Sequence, residues 1–327
     1  MMAGSLIALI SLLLIFPLFS PPGGLYLLDL AEIYAILAMS LAFTVGYAGL
    51  LSLAHAVFFG VGAYFTGLSM IAGWPFLATF FLAGFIASFL GVVIGFPALR
   101  TRGVYFSITT LCLTIIAEMV LNNWESLTRG SSGLGGIPKP DNIFGSTGFF
   151  LVKINSASSY HYLISVVTVL TGFILYRITR SEIGRTMIAI RDEKKLSSVI
   201  GINTLKYELI NFCIGAFFAG LAGSLYAVFI RYLHPTDFGI LQCFDILAMV
   251  VVGGVNSISG AIMGSLFINF FPELIGIAPA LKRIVYGIVI IAVVIFMPYG
   301  LQGLFAQIVN QVKSRIGLEK EQKRATP

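Results

Sequence analysis

The chain has 327 residues, of which 58% are hydrophobic and only 10% charged. Soluble domains carry roughly 25% charged residues, so this composition excludes a water-faced globule and points to one membrane-embedded domain, 1–327. The net charge of +6 follows the expected topology, described below, and is not read as a nucleic-acid footprint.

Residues 6–19 form the first apolar stretch. They lack a positive n-region, and Ser20-Pro21-Pro22 makes a poor cleavage site, so the stretch is read as a retained span. Crossing a bilayer takes about 20 mainly apolar residues. Further candidates are 27–45, 50–71, 76–96, 104–121, 162–178, 207–230 and 284–297. Residues 244–275 are too long for one span and are broken at Gly253-Gly254 and again at 256–260, which predicts two helical pieces. The expected fold is therefore all-α, a polytopic transmembrane bundle of about 8–10 spans with interrupted helices.

Basic residues orient the bundle. The turn at Arg100 and Arg102, the segment 177–206 and the C-terminal tail hold two, seven and five of the 20 Lys and Arg. Placing these in the cytoplasm, with both termini, leaves Arg129, Lys139, Lys153, Arg231, Lys282 and Arg283 outside. Residues 122–160 become an external loop, 179–206 a cytoplasmic segment and 302–327 a cytoplasmic tail. In the external loop, Asn122, Asn123, Trp124 and Arg129 suit contact with a soluble partner, while Trp124 equally suits anchoring at the lipid interface. The glycines of 130–138 are expected to form turns.

Two stretches at membrane depth are rich in Gly and Ser. One runs Gly46-Tyr47-Ala48-Gly49-Leu50-Leu51-Ser52-Leu53-Ala54-His55, the other Gly253-Gly254-Val255-Asn256-Ser257-Ile258-Ser259-Gly260. Irregular backbone in hydrocarbon is tolerated only against protein or a water-filled cavity, and paired interruptions point to a translocation pathway. Gly46, Gly49, Ser52, Gly253, Gly254, Asn256 and Ser257 are the pathway candidates, close helix packing being the rival reading. For the isolated Gly84, Gly91 and Gly172 packing is the preferred reading.

Glu32, Glu118, Glu208 and Asp245 each lie near a span end, where snorkelling is cheaper than a proton relay. His55, His161 and His234 are scattered with no ligand spacing, so no metal is expected. Cys112, Cys213 and Cys243 stand singly in apolar runs, without redox or ligand spacing. No Gly-x-x-x-x-Gly-Lys phosphate loop and no convergent nucleophile or acid–base set occurs, which argues against an enzyme. An ion-coupled transporter working alone would normally show carboxylates deep in its core.

The polar stretch 180–206 is the anomaly. Ile183, Met187, Ile188 and Ile190 share one side of a short helix, with Arg185 and Arg191 elsewhere. Asp192 is expected to cap a second helix, 193–200, with Gly201 at the left-handed stop, Ile202 as its apolar contact, and Asn203 or Thr204 capping the next span. The prediction is a stiff helix–glycine–helix element, with an interfacial helix on anionic lipid as the alternative.

These residues carry a resemblance. The runs 46–55, 58–64 and 99–105, then 122–124, Leu127-Thr128 and 136–138, appear in that order. They are followed by 183–185, 189–191, 201–203, 219–223, 252–254, 257–260 and 298–301. Together they resemble the permease subunits of branched-chain amino-acid ABC importers, over nearly the whole length. The resemblance implies a subunit without a cofactor of its own, paired with a second related permease. Two cytosolic ATPases would use ATP and Mg, and an external binding protein would deliver branched-chain or other apolar amino acids. It further implies that Arg185, Arg191, Leu196, Ser197 and Gly201 belong to the ATPase-coupling segment. Where that family's docking helix tends to carry Ala-Ala-Glu, this chain has Leu196-Ser197-Ser198, without the charge. Similar permeases serve urea and short amides, which leaves that cargo as the alternative.

Overall fold

The computed structural model describes residues 22–101, 103–139, 157–274, 279–297 and 300–303. The first expected span, 6–19, lies outside the described residues, as do Arg102, 140–156 of the external loop and all but the start of the tail.

The bundle is built on two mainly apolar helices that are buried on every side. Helix α1 (Pro22–Ala48) opens with proline at its first turn, where the missing N–H costs nothing. Ala31, Ile33, Ile36, Met39 and Phe43 around its circumference are all fully buried. A helix with apolar side chains all round its circumference belongs in the interior, and the two acids it carries, Asp29 and Glu32, are buried with it. Helix α2 (His55–Ile71) follows a six-residue break, and α3 (Phe76–Ala98) returns antiparallel. Next come α4 (Val104–Asn123), the single turn α5 (Glu125–Thr128), β1 (Leu134–Gly135) and α6 (Ala157–Arg180). Helices α7 (Glu182–Asp192) and α8 (Lys194–Val199) lead into the second central helix, α9 (Thr204–Ile230). The chain ends with β2 (Tyr232–Leu233), α10 (Ile240–Gly253), α11 (Ile258–Leu274) and α12 (Pro279–Phe296).

Helix α9 packs on α1, α2 and α3 at distances that small residues permit. A side chain at Gly62 would strike the Gly220 backbone, and one at Gly223 would strike that of Phe59 and Ala63. Gly91 faces Ala216, and Gly84 faces Phe217 and Leu221, so these isolated glycines serve packing, while Gly172 meets only Met39.

Five described helices are long and apolar enough to cross a membrane, or six with the bent pair α10–α11 taken as one span. The other expected segments appear as the 17-residue α2 and as α12. Among the described residues the fold is all-α apart from β1 and β2, which pair antiparallel with Leu134 opposite Leu233 and Gly135 opposite Tyr232. This pairing was not legible as a strand signal, since each strand has two residues. It turns the glycine-rich 130–135 into built structure: a 3₁₀ turn at Gly130–Ser132, then β1. Helix α9 rises about 40 Å at 1.5 Å per residue. It sets the β1–β2 end, with 122–139 and 231–239, opposite the end that carries α7 and α8.

Candidate functional site

The site grows from the break between α1 and α2. Outside a helix, the peptide groups of 49–54 need other partners, and α4 supplies them from one face. Leu53 N–H donates to Thr110 Oγ1 at 3.1 Å, Thr114 Oγ1 donates to Leu53 O at 2.8 Å, and Ser107 Oγ to Leu51 O at 2.8 Å. Cys243 Sγ also reaches Leu53 O, at 2.8 Å. His55, fully buried, sits between Ser52 Oγ (3.3 Å) and Thr44 Oγ1 (3.4 Å). The break is a fastened structure.

The second break lies between α10 and α11, whose axes bend by 117°. Gly254 turns the chain with φ +115°, and Ser257 starts α11, its Oγ accepting Gly260 N–H at 3.1 Å. Gly253 packs against Gly260 across the bend. The two breaks meet: a side chain on Gly46 would run into the backbone of Val255 and Asn256.

Arg191 joins them from α7. The final carbonyls of a helix have no partner within it; Val45 O is taken by Gly49 N–H at 3.0 Å, and Gly46 O by Arg191 Nη1. The same Nη1 lies 3.5 Å from Asn256 Oδ1. Gly49 adopts φ +69°, and a Cβ there would come within 2.8 Å of Arg191 Cγ. Asp192 fixes the guanidinium, accepting from Nε at 2.9 Å and Nη2 at 2.8 Å. The cation thus sits at the negative end of α1.

Helix α7 is capped by Ser181 and buries Gly184, Met187 and Ile190. Ile183, expected on that side, is 42% exposed, since it lies in the first turn outside the buried line of Gly184, Met187 and Ile190. Asp192 is the last residue of α7 and not the cap of α8; the break falls at Glu193, at φ −144° and ψ 82°. After α8, Gly201 takes φ +91°, its N–H donating to Ser198 O and Ile202 N–H to Ser197 O, the paired bonds of a Schellman stop. Asn203 Oδ1 then caps α9 by accepting Lys206 N–H at 3.1 Å. Lys194 pairs with buried Glu208 at 2.5 Å, tying α8 to the second turn of α9. Leu196, Val199 and Ile200 are left facing outward, 61%, 82% and 69% exposed.

Comparison with known proteins now bears on this architecture. Residues 24–294 match the family model described as "Branched-chain amino acid transport system / permease component". The chain belongs to that family. Among its relatives, the high-affinity branched-chain amino acid transport system permease protein LivM of Escherichia coli is 30% identical over 333 residues, 96% of this chain and 77% of the relative. The LivH protein of the same organism is 28% identical, over 84% of this chain and 92% of the relative. BraD of Pseudomonas aeruginosa is 29% identical, over 84% and 93%. No solved structure gives a significant match.

In this permease the expected residues fall into three groups. Gly46, Gly49, Gly253, Gly254, Asn256 and Ser257 meet at the paired breaks, with Ser52 on the α2 side. Arg191, expected with the coupling residues, turns inward to those breaks. Of the other coupling residues, Leu196 points outward, Arg185 is exposed with Nη1 3.4 Å from Arg180 O, Gly201 forms the stop, and Ser197 is buried toward the bundle.

One cluster was missed by sequence reasoning. Asp29, Glu32, His161 and Ser165 are buried between α1 and α6. His161 Nδ1 lies 2.6 Å from Asp29 Oδ1, and Ser165 Oγ donates to Glu32 at 2.8 Å and sits 3.3 Å from His161 Nε2. Glu32 and Glu208, expected to snorkel, are instead buried and hydrogen-bonded, because their partners come from other helices. The i, i+4 spacing of His161 and Ser165 was the one available signal. Among the described residues no three His, Cys, Asp or Glu gather as a metal site. At the β1–β2 end, burial pushes the Asp237 carboxyl above the ordinary carboxylate range, against the bond it accepts from His234 N–H.

Proposed function

We propose that this permease is one membrane subunit of an ATP-driven importer for branched-chain or other apolar amino acids. It pairs with a second related permease, takes its cargo from an external binding protein, and is moved by two cytosolic ATPases that consume the ATP and Mg; the chain itself carries no ATP loop. Segment 179–206 and both termini face the cytoplasm, and 122–160 lies outside, in keeping with the basic residues.

The observation that carries this reading is the outward apolar patch of Leu196, Val199 and Ile200 on an otherwise charged knob. Exposed apolar side chains clustered on a rigid polar element are the mark of a protein partner. Arg191, on the same knob, reaches Gly46 and Asn256. The α7–α8 element therefore has a partner-facing side and a side fastened to both breaks. A push on the patch is delivered to the point where α1 and α10–α11 touch. Transport follows when nucleotide state changes which arrangement of that junction is favoured.

Two measurements test the proposal. Proteoliposomes holding both permeases and both ATPases should take up leucine only with ATP inside and loaded binding protein outside. Uptake by this chain alone, driven by an ion gradient, would overturn the reading. Gly201→Val should then assemble normally yet lose stimulation of ATP hydrolysis by the binding protein. A valine at φ +91° costs about 1–2 kcal/mol in backbone strain, whereas nothing within 4 Å of the site would clash. Gly201→Asn, which tolerates the left-handed region, should restore stimulation; equal stimulation in all three proteins would make the stop irrelevant to coupling.

A further inference from the structure

Phe238 is held by a short turn outside the bundle, yet its ring is 1% exposed. The turn, Pro235–Phe238, is closed by a reciprocal cap: Asp237 Oδ2 accepts His234 N–H at 3.2 Å, and His234 Nδ1 accepts Thr236 N–H at 3.4 Å. From it the phenyl ring enters a box of aromatic rings. Its centroid lies 5.5 Å from Phe59, 5.6 Å from Tyr64 and 6.1 Å from Tyr226, and Tyr34 stands behind Phe59 and Tyr226. Gly60 is the floor, where a methyl group would come within 2.9 Å of Phe238 Cβ. The walls come from α1, α2 and α9, so the box exists independently of the turn that fills it.

Two polar groups near this box are out of keeping with a sealed core. Tyr64 Oη and Gln242 Nε2, the latter four residues along the chain from Phe238 and in the first turn of α10, are buried and reach no hydrogen-bond partner. Buried polar groups are almost always paired, so an unpaired hydroxyl on a wall of the aromatic box calls for an explanation, and a polar guest supplies one. The turn is also connected outward. Residues Tyr232–Leu233 pair with Leu134–Gly135, Tyr232 Oη donates to Ser132 O at 2.8 Å, and His234 Nε2 lies 3.1 Å from Ser131 O. Displacement of 122–139 is thereby passed to Phe238.

We infer that Phe238 is a tethered stand-in for cargo: its box is a binding subsite for the apolar side chain of a free amino acid, entered when the turn withdraws. Tyr64 and Gln242 meet the polar end of the guest, which explains why the chain leaves them unpaired. The inference rests on the importer reading and names that importer's cargo site on this subunit.

The test uses the complete complex in nanodiscs without binding protein, with radiolabelled leucine as the probe in equilibrium dialysis. Phe238→Ala should raise leucine binding roughly tenfold or more over the parent complex, the gain that burial of one aliphatic side chain brings. Adding Tyr64→Phe should reduce that gain severalfold. An assembled Phe238→Ala complex with no added leucine binding overturns the inference. If that variant does not assemble, Phe238→Cys in the assembled complex should react faster with a membrane-impermeant thiol reagent once loaded binding protein docks; an unchanged rate overturns it as well. Uptake by the parent complex reports separately on the importer reading, which stands or falls without the subsite.

Discussion

Arg191→Ala should leave a correctly assembled permease whose ATP-driven uptake falls by roughly tenfold to a hundredfold. The guanidinium closes the open carbonyl end of α1 at Gly46 and reaches Asn256 at the second break. A hydrogen bond to a charged group contributes about 1.5–3 kcal/mol, and about 1.4 kcal/mol is a factor of ten in an equilibrium. The arginine side chain is 30% exposed, so its loss affects overall stability less than the balance between arrangements of the junction. Without it, the knob can move while the breaks stay behind. Hydrolysis of ATP in the assembled complex should therefore continue, uncoupled from uptake. Arg191→Lys should recover only part of the loss, because a single ammonium cannot hold Asp192 as Nε and Nη2 do while also reaching the two breaks as Nη1 does. The check is uptake per ATP hydrolysed in proteoliposomes, alongside thermal melting. Full uptake by Arg191→Ala would remove the junction from the mechanism.

His161→Ala should show the largest loss of stability, about 3–5 kcal/mol, the cost of breaking a buried ion pair from one side. The imidazole lies 2.6 Å from Asp29 and 3.9 Å from Glu32, with every side chain in the group almost completely buried. Its removal takes the 2.6 Å partner from Asp29 and leaves Glu32 with Ser165, both carboxyls still buried between the first turns of α1 and α6. Thermal melting in detergent, followed by size-exclusion chromatography, is the readout. Asp29→Asn on the same background should recover part of the loss, since it removes the charge that the histidine faced. A His161→Ala protein that melts with the parent would mean the cluster contributes no stability.

The local devices were legible because their partners lie a few residues apart. Gly201 as a left-handed stop, Asn203 as a cap and the two pieces around Gly253-Gly254 all rest on such short-range contacts. The misplacement of the cap at Asp192 was also local, a one-residue error at a helix boundary where Asp192 pairs with its neighbour instead. The order of apolar segments, and the charge poverty that puts the chain in a bilayer, needed composition alone.

The direction in which each polar side chain points came from the fold. Arg191 reads from sequence as one more cation on a cytosolic element, and its target at Gly46 is 145 residues away. His161 and Asp29 are separated by 132 residues, and Leu53 and Thr110 by 57. In hydrocarbon, a polar group off the helical pattern must find a partner wherever packing brings one. Helix periodicity is a property of near neighbours, whereas the meeting of two helices is set by the shapes of all the residues between them. The chain therefore declares which elements it will form and that they belong in a membrane, while packing determines which breaks touch, which cation latches them and which ring fills the box.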